Sequence, residues 1–127
     1  MESIYLGEFN DREDILYYFD IVDKDLKNVN ILFAVYEVED CLDGSAFILF
    51  EKDGKLYEVN GISDSYNGLE GQWEPEEITI EDIKYRLKEG ELGIGDGGDI
   101  FNKKLLKYIK ENWLQLRTDR QFVLDHL

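Results

Sequence analysis

A two-residue connection between apolar segments constrains the fold of this chain most strongly. Asp53-Gly54 follows the segment FILF at 47–50 and precedes the segment LYEV at 56–59. Aspartate followed by glycine readily adopts the positive φ angles that both central positions of a type I′ turn require. The pattern therefore predicts a tight β-hairpin at this point.

A third apolar segment, ILFAVYEVE at 31–39, extends the hairpin to an antiparallel β-meander over residues 31–61. Both alternating sets of positions in this segment begin apolar, which is typical of a central strand or of a strand covered by helices. In the last strand of the meander, Tyr57 and Val59 are predicted to face the core. A short fourth strand is predicted within residues 3–9.

Three helices are predicted around this sheet, because apolar residues recur at helical spacing in three segments. The first helix spans 11–21. The second spans 79–90 and begins with a capping-box-like pattern, in which Asp82 follows Thr79 at the third position. The third spans 100–116 and has apolar residues on one side and lysines on the other.

These elements predict the α+β class. We expect an antiparallel β-meander of three or four strands packed against about three α-helices. A sheet of this size exposes too much apolar area by itself, so helices must cover one face. At 127 residues, the chain is expected to form a single globular domain over residues 1–127.

The charge of the chain is strongly acidic and uneven. The formal net charge is −15, but residues 1–99 carry −18 and residues 100–127 carry +3. An acidic field repels phosphates and anionic lipid and favours a basic partner, so direct binding to nucleic acid is not expected. The change of sign suggests a basic helix that packs on, or projects from, an acidic body.

Other features predict a cytoplasmic protein without a membrane partner. Cys41 is the only cysteine, which excludes an intramolecular disulfide and fits a reducing compartment. The first nine residues, MESIYLGEF, lack the basic and apolar regions of a signal peptide. No apolar run approaches the ~20 residues that a membrane-spanning helix needs.

The familiar catalytic and metal-binding patterns are weak in this sequence. His126 is the only histidine and lies next to the chain end, and Cys41 has no neighbouring histidine or arginine to stabilise a thiolate. The segment GIGDGG at 93–98 matches a dinucleotide motif in letters, but a predicted helix precedes it where the motif needs a strand. The acidic residues of 20–28 lack the spacing of a calcium loop. No catalytic residue, metal or cofactor is predicted.

Residues 61–77 form a predicted loop that is long enough to suggest a function. It contains QWEPEE at 72–77, in which Trp73 precedes a proline and an acidic run. The indole is either the anchor of a partner-binding lip or a plug that covers the open face of the sheet. We favour the plug.

The segment GSAFILFEKDGKLYEVNG, followed by NGLEGQWEPEE and a short helix, resembles a family of small proteins encoded by bacteriophages and prophages, most without an assigned function. The resemblance covers about residues 44–87, roughly a third of the chain, and GLEGQWEPEE is its most specific part. Family members often carry a run with histidine and cysteine just before this motif, whereas this chain has ISDSY at 62–66. The resemblance therefore implies a phage context and lends no catalytic residue. If that run holds a metal or redox site, this chain has lost it.

Together, the charge and the resemblance predict a non-enzymatic protein that binds a basic protein surface. One form of this function is a DNA mimic that inhibits a host defence nuclease or a CRISPR effector, because carboxylates on a rigid scaffold imitate a phosphate array. The predicted binding residues are the tryptophan and the acids around it: Asp64, Glu70, Trp73, Glu74, Glu76 and Glu77. Asp20, Asp23 and Asp25 are a second set.

Two alternatives remain open from the sequence. One is a structural or assembly protein, in which the basic helix at 100–116 of one copy meets the acidic body of another to form a homo-oligomer. The other is an enzyme that uses carboxylates, with or without a metal. The enzyme hypothesis predicts a concave pocket in which two acids have perturbed pKa values, and a bound ion at or near Asp64.

Overall fold

The computed structural model describes residues 3–39, 43–89 and 102–116, and within them the chain is of the α+β class. Five strands and four helices follow in chain order within these ranges, with a short 3-10 helix at Asp23–Leu26 between α1 and β2. The strands are β1 (Ile4–Gly7), β2 (Asn30–Val38), β3 (Gly44–Lys52), β4 (Lys55–Ser63) and β5 (Glu76–Ile78). The helices are α1 (Arg12–Phe19), α2 (Ile80–Glu89), α3 (Asn102–Glu111) and α4 (Trp113–Leu116).

The predicted hairpin is confirmed. Lys52 of β3 pairs with Lys55 of β4, and the two residues between them have φ angles of 53° at Asp53 and 79° at Gly54. Strands β2, β3 and β4 form the predicted antiparallel meander. A bulge between Ile31 and Phe33 interrupts the pairing of β2 with β3.

The expectation of a purely antiparallel sheet of three or four strands is wrong in two respects. The sheet has five strands in the order β1-β2-β3-β4-β5, and β1 runs parallel to β2. The parallel pairing arises because α1 lies between β1 and β2 in the chain and returns it to the same end of the sheet. The fifth strand comes from Glu76–Ile78, at the end of the predicted loop, and pairs with residues 56–58 of β4.

Both faces of the sheet are covered, and not only one. Phe33, Phe47 and Leu49 belong to a core beneath α2, α3 and α4, on what we call the helix face. Ala34 and Ile48 belong to a second core beneath α1 and the 64–75 loop, on what we call the loop face. The continuous apolar character of β2 and β3 follows from this double coverage.

The prediction for β4 is correct on one face and incomplete on the other. Val59 is fully buried and Tyr57 partly buried on the loop face, as expected. Leu56 and Glu58, on the opposite side of the strand, are 3% exposed each, because α2 covers them. Glu58 forms an ion pair with Arg86 of α2.

The helix starts follow the sequence closely. The Asp11 side chain accepts a hydrogen bond from the Asp14 amide at the start of α1. At α2, the Asp82 amide donates to Thr79 Oγ1 over 3.2 Å and the Thr79 amide donates to the Asp82 carboxylate over 3.4 Å, which confirms the capping box. α1 ends at Phe19 and not at 21, because Asp20 adopts a left-handed conformation with φ of 54°.

The basic helix packs on the sheet and does not project from it. Leu105, Tyr108 and Ile109 of α3 are buried on the helix face. The predicted continuous helix is interrupted at Asn112, whose side-chain amide donates to the Tyr108 carbonyl oxygen. All four lysines of α3 are exposed: Lys103, Lys104, Lys107 and Lys110.

Several residues considered above lie outside the described residues: Cys41, His126, the 93–98 segment, and the start of the predicted third helix at 100. No helix in the described ranges is long and apolar enough to cross a membrane.

Candidate functional site

Trp73 points into the protein. Its ring is stacked on Phe50 of β3, with centroids 5.8 Å apart and an interplanar angle of 11°. Its ring also meets Phe19 of α1 edge-on, with centroids 5.3 Å apart. The indole therefore covers the loop face of the sheet, as the plug interpretation expects, and is not a protruding lip.

The loop around Trp73 is held against the edge of β4 by side-chain and backbone contacts. The side-chain amide of Gln72 accepts from the Ile62 amide over 2.8 Å and donates to the Ile62 carbonyl oxygen over 2.7 Å. Leu69 is fully buried, and a Cβ atom at Gly61 would lie 2.9 Å from its Cδ2. A side chain at 61 would therefore force the buried Leu69 side chain to shift.

The predicted acidic residues are exposed on this framework. Glu74, Glu76 and Glu77 follow Trp73, and the last two belong to β5. Within the described residues, Glu77 is the member of the predicted set that has a cationic partner, Lys55, at 3.9 Å. Both side chains of that pair are more than half exposed, so the pair contributes little to stability.

The structure divides the predicted binding residues into two places. Glu76 is paired with Glu58 on β4, whereas Asp64 directly follows Ser63 at the other end of that strand. Ser63 lies five positions after Glu58 along the strand, which corresponds to roughly 17 Å. The acids of β5 and Asp64 therefore do not form one compact site.

Asp64 borders a cavity of about 310 Å³ at the end of the sheet, which we call the tyrosine pocket. This is where β1, β2 and β4 end and where α1 and the loop approach the sheet. The residues that line it are Glu8, Tyr18, Tyr36, Val38, Ser63, Asp64 and Gly68.

The two tyrosine rings of the pocket pack edge to face, with centroids 5.2 Å apart and an interplanar angle of 79°. Tyr36 is 6% exposed and Ser63 is 5% exposed. The Tyr36 hydroxyl donates a hydrogen bond of 2.7 Å to Ser63 Oγ. Gly44 on β3 permits this pair, because a Cβ atom there would lie 2.7 Å from Ser63 Oγ and 2.9 Å from the Tyr36 ring.

Negative charge faces the tyrosine pocket. Asp64 Oδ1 accepts hydrogen bonds of 2.8 Å from the amides of Tyr66 and Asn67, and these bonds lower the pKa of the Asp64 carboxyl. Burial, together with the nearby carboxylates of Glu8 and Asp14, raises the pKa of Tyr18. At neutral pH the pocket therefore combines the ionised Asp64 carboxylate with the neutral Tyr18 phenol.

The lowered pKa of Asp64 has a structural cause, since its carboxylate closes the 64–67 turn. Among the residues that the structure describes, no group of three or more histidine, cysteine, aspartate or glutamate side chains is arranged to hold a metal ion. The second set of acids, Asp20, Asp23 and Asp25, lies near the end of α1. Asp25 there accepts from the Val22 amide over 3.0 Å.

Sequence reasoning missed Glu8, Tyr18 and Tyr36. Their approach depends on the parallel pairing of β1 with β2, which carries Glu8 to the end of β2, where its amide donates to the Tyr36 carbonyl oxygen over 2.8 Å. Tyr18 adjoins two other aromatic residues in DILYYF, a run that signals a core contact as readily as a pocket. No sequence motif distinguishes these two roles.

Comparison of the chain with protein-family models, with curated proteins and with solved structures found no match.

Proposed function

We propose that this chain is a non-enzymatic acidic protein of phage or prophage origin that binds a basic protein surface in the host cytoplasm. The observation that carries the proposal is the display of Glu74, Glu76 and Glu77 beside an inward-facing Trp73. The tryptophan fixes the loop through its contacts with Phe50 and Phe19.

A rigid backbone beneath the carboxylates favours this kind of binding. A carboxylate on a flexible loop must be ordered when the partner arrives, and that entropy cost opposes binding. Glu76 and Glu77 belong to a paired strand, so their backbone is already ordered before contact. A net charge of −15 adds long-range attraction for a basic partner and speeds the encounter.

The inward position of Trp73 also alters the expected character of the interface. Without the indole as an apolar anchor, affinity rests on charge and depends strongly on salt. That dependence is expected of a DNA mimic acting on the basic cleft of a defence nuclease or CRISPR effector. Such a partner should be displaced by duplex DNA, because both ligands occupy the same cleft.

A second candidate is self-assembly through the basic helix. All four lysines of α3 are exposed. Lys104 forms an ion pair of 3.4 Å with Glu37 of its own sheet, and Lys107 lies 4.0 Å from Glu111 of the same helix. These lysines would meet the acidic loop of another copy. This candidate predicts a homo-oligomer that dissociates as salt increases.

The experiment that tests the proposal is capture from host lysate on the immobilised protein at low and high salt. The wild-type protein is compared with a triple variant in which Glu74, Glu76 and Glu77 are changed to glutamine. We expect a basic nucleic-acid-binding protein to be captured at low salt, to be released by salt or duplex DNA, and to bind the triple variant more weakly.

A matched control makes the same change of charge on exposed acids outside the loop. Its three substitutions are Glu13→Gln, Glu39→Gln and Glu111→Gln. Equal loss of capture by both triple variants would show that total charge and not this loop governs binding. Capture of the chain's own copies alone would refute the proposal and support self-assembly.

A further inference from the structure

The groups that line the tyrosine pocket favour a particular class of ligand. Its lining combines two carboxylates, two phenol rings and a serine hydroxyl, and it includes no lysine or arginine from the described residues. Carboxylates accept hydrogen bonds and, when ionised, donate none. A ligand that fits these groups must therefore bring donors and positive charge.

The buried hydroxyl pair points to the same ligand chemistry. The Tyr36 hydroxyl donates a hydrogen bond to Ser63 Oγ, and this bond leaves acceptor capacity on the Tyr36 oxygen. Both residues are more than nine-tenths buried, and both line the cavity. The deeper polar groups of the pocket thus also offer acceptors to a ligand that donates.

The aromatic walls favour a flat cation over a compact one. Both rings line the cavity, and Tyr18 is the more exposed of the two, so a planar group can lie against the Tyr18 ring. Guanidinium stacks on aromatic rings, is weakly hydrated and carries five donors in one plane. Ammonium is strongly hydrated and has no plane to stack.

The size of the pocket limits what can enter. A cavity of about 310 Å³ lies at the lower end of the range for small-molecule sites, which suits one side chain and not a cofactor. Glu8 and Asp64 are exposed, so the approach is open to a protruding residue of another protein.

We propose that the tyrosine pocket binds the guanidinium group of an arginine side chain, with Glu8 and Asp64 as its carboxylate partners and Tyr18 and Tyr36 as its walls. This inference rests on the proposed function and deepens it, because it names the residue type by which a basic partner would be recognised. It adds a contact roughly 17 Å along β4 from the acids of β5.

The test uses the full chain and the probe Nα-acetyl-L-arginine methylamide, followed by NMR chemical shifts. We expect saturable shifts at Tyr18, Tyr36, Ser63 and Asp64, with a Kd of about 1 mM. The citrulline analogue has nearly the same shape without the charge and should bind at least about tenfold more weakly. The lysine analogue should bind more weakly than the arginine probe.

Two variants that each remove one negative charge distinguish binding at the pocket from attraction by the overall negative charge of the protein. Glu8→Gln removes one carboxylate of the pocket and should weaken the arginine probe about threefold to tenfold. Glu13→Gln changes an exposed acid of α1 that does not line the pocket, and should leave the Kd within about twofold. Tyr18→Leu keeps an apolar wall but removes the ring face, and should reduce the preference for arginine over lysine.

Several results would overturn the inference: equal binding of the citrulline and arginine probes, shifts confined to other surfaces, or equal effects of Glu8→Gln and Glu13→Gln. The outcomes also separate this inference from the proposed function. If the Glu74, Glu76 and Glu77 variant loses lysate capture but the pocket binds no arginine, the proposed function is supported and only the arginine site is rejected. Arginine binding at the pocket without any lysate capture supports the pocket and rejects the proposed function.

Discussion

Replacing Trp73 with alanine tests whether this side chain anchors the loop. Truncating a buried tryptophan to alanine usually costs about 3–5 kcal/mol of unfolding free energy. Trp73 is only partly buried, which argues for the lower end of that range. Its two ring contacts, with Phe50 and Phe19, contribute about 0.5–1.5 kcal/mol each beyond the area they bury. We therefore expect Trp73→Ala to destabilise the protein by about 3 kcal/mol.

Urea denaturation followed by far-UV circular dichroism measures this change without relying on tryptophan fluorescence. For a small domain with a slope of about 1.5 kcal/mol per M, a loss of about 3 kcal/mol lowers the urea midpoint by about 2 M. Trp73→Phe should lose less unfolding free energy than Trp73→Ala, because a smaller ring still reaches the core of the loop face.

Tyr66 in the same loop provides the matched control. Its side chain is 92% exposed, so Tyr66→Ala should change stability by less than about 0.5 kcal/mol. A Trp73→Ala midpoint equal to that of Tyr66→Ala would refute the inward anchor. The partner-binding lip would then be the better interpretation of this tryptophan.

Two further predictions concern the helix face. Glu58→Ala removes the carboxylate that Arg86 contacts, and the Glu58 side chain is only 4% exposed, so we expect a loss of about 3 kcal/mol in urea denaturation. The double change with Arg86→Ala should cost clearly less than the sum of the two single changes, and additive costs would contradict a coupled pair. Burial and the nearby Glu51 raise the pKa of Tyr108 from 10.0 to about 12, so the folded state favours the neutral phenol. This contribution is complete below about pH 10 and is lost as the pH rises through about 12. Tyr108→Phe should therefore lose less stability than wild type between pH 9 and 12 in urea denaturation, whereas parallel losses would assign the alkaline sensitivity to other groups.

Local signals in the sequence predicted the local parts of this fold. The turn at Asp53-Gly54 and the capping box at Thr79 and Asp82 depend on residues a few positions apart, and both are as expected. The two strands at the sheet edges depend on distant pairing. Nothing within residues 3–9 specifies that β1 runs parallel to β2, and the glutamates of β5 disfavour a strand until β4 provides the partner.

In the candidate site, too, only the residues that are close together in the sequence could be predicted. The acids around Trp73 stand out in the sequence because they form one acidic run beside a tryptophan and a proline. The tyrosine pocket draws its walls from four separate segments, so its members share no sequence neighbourhood. Asp64 was the single residue predicted for the site that also lines this pocket.

The side chain of Gln72 has a consequence for how other chains can meet this sheet. By bonding to both the amide and the carbonyl oxygen of Ile62, it occupies the place that an incoming strand would take beside β4. An unoccupied edge at this position would offer a template for non-specific β-aggregation. The glutamine closes that route beside Ile62, so a partner that approaches this part of β4 must recognise side chains and cannot pair with the strand's backbone there.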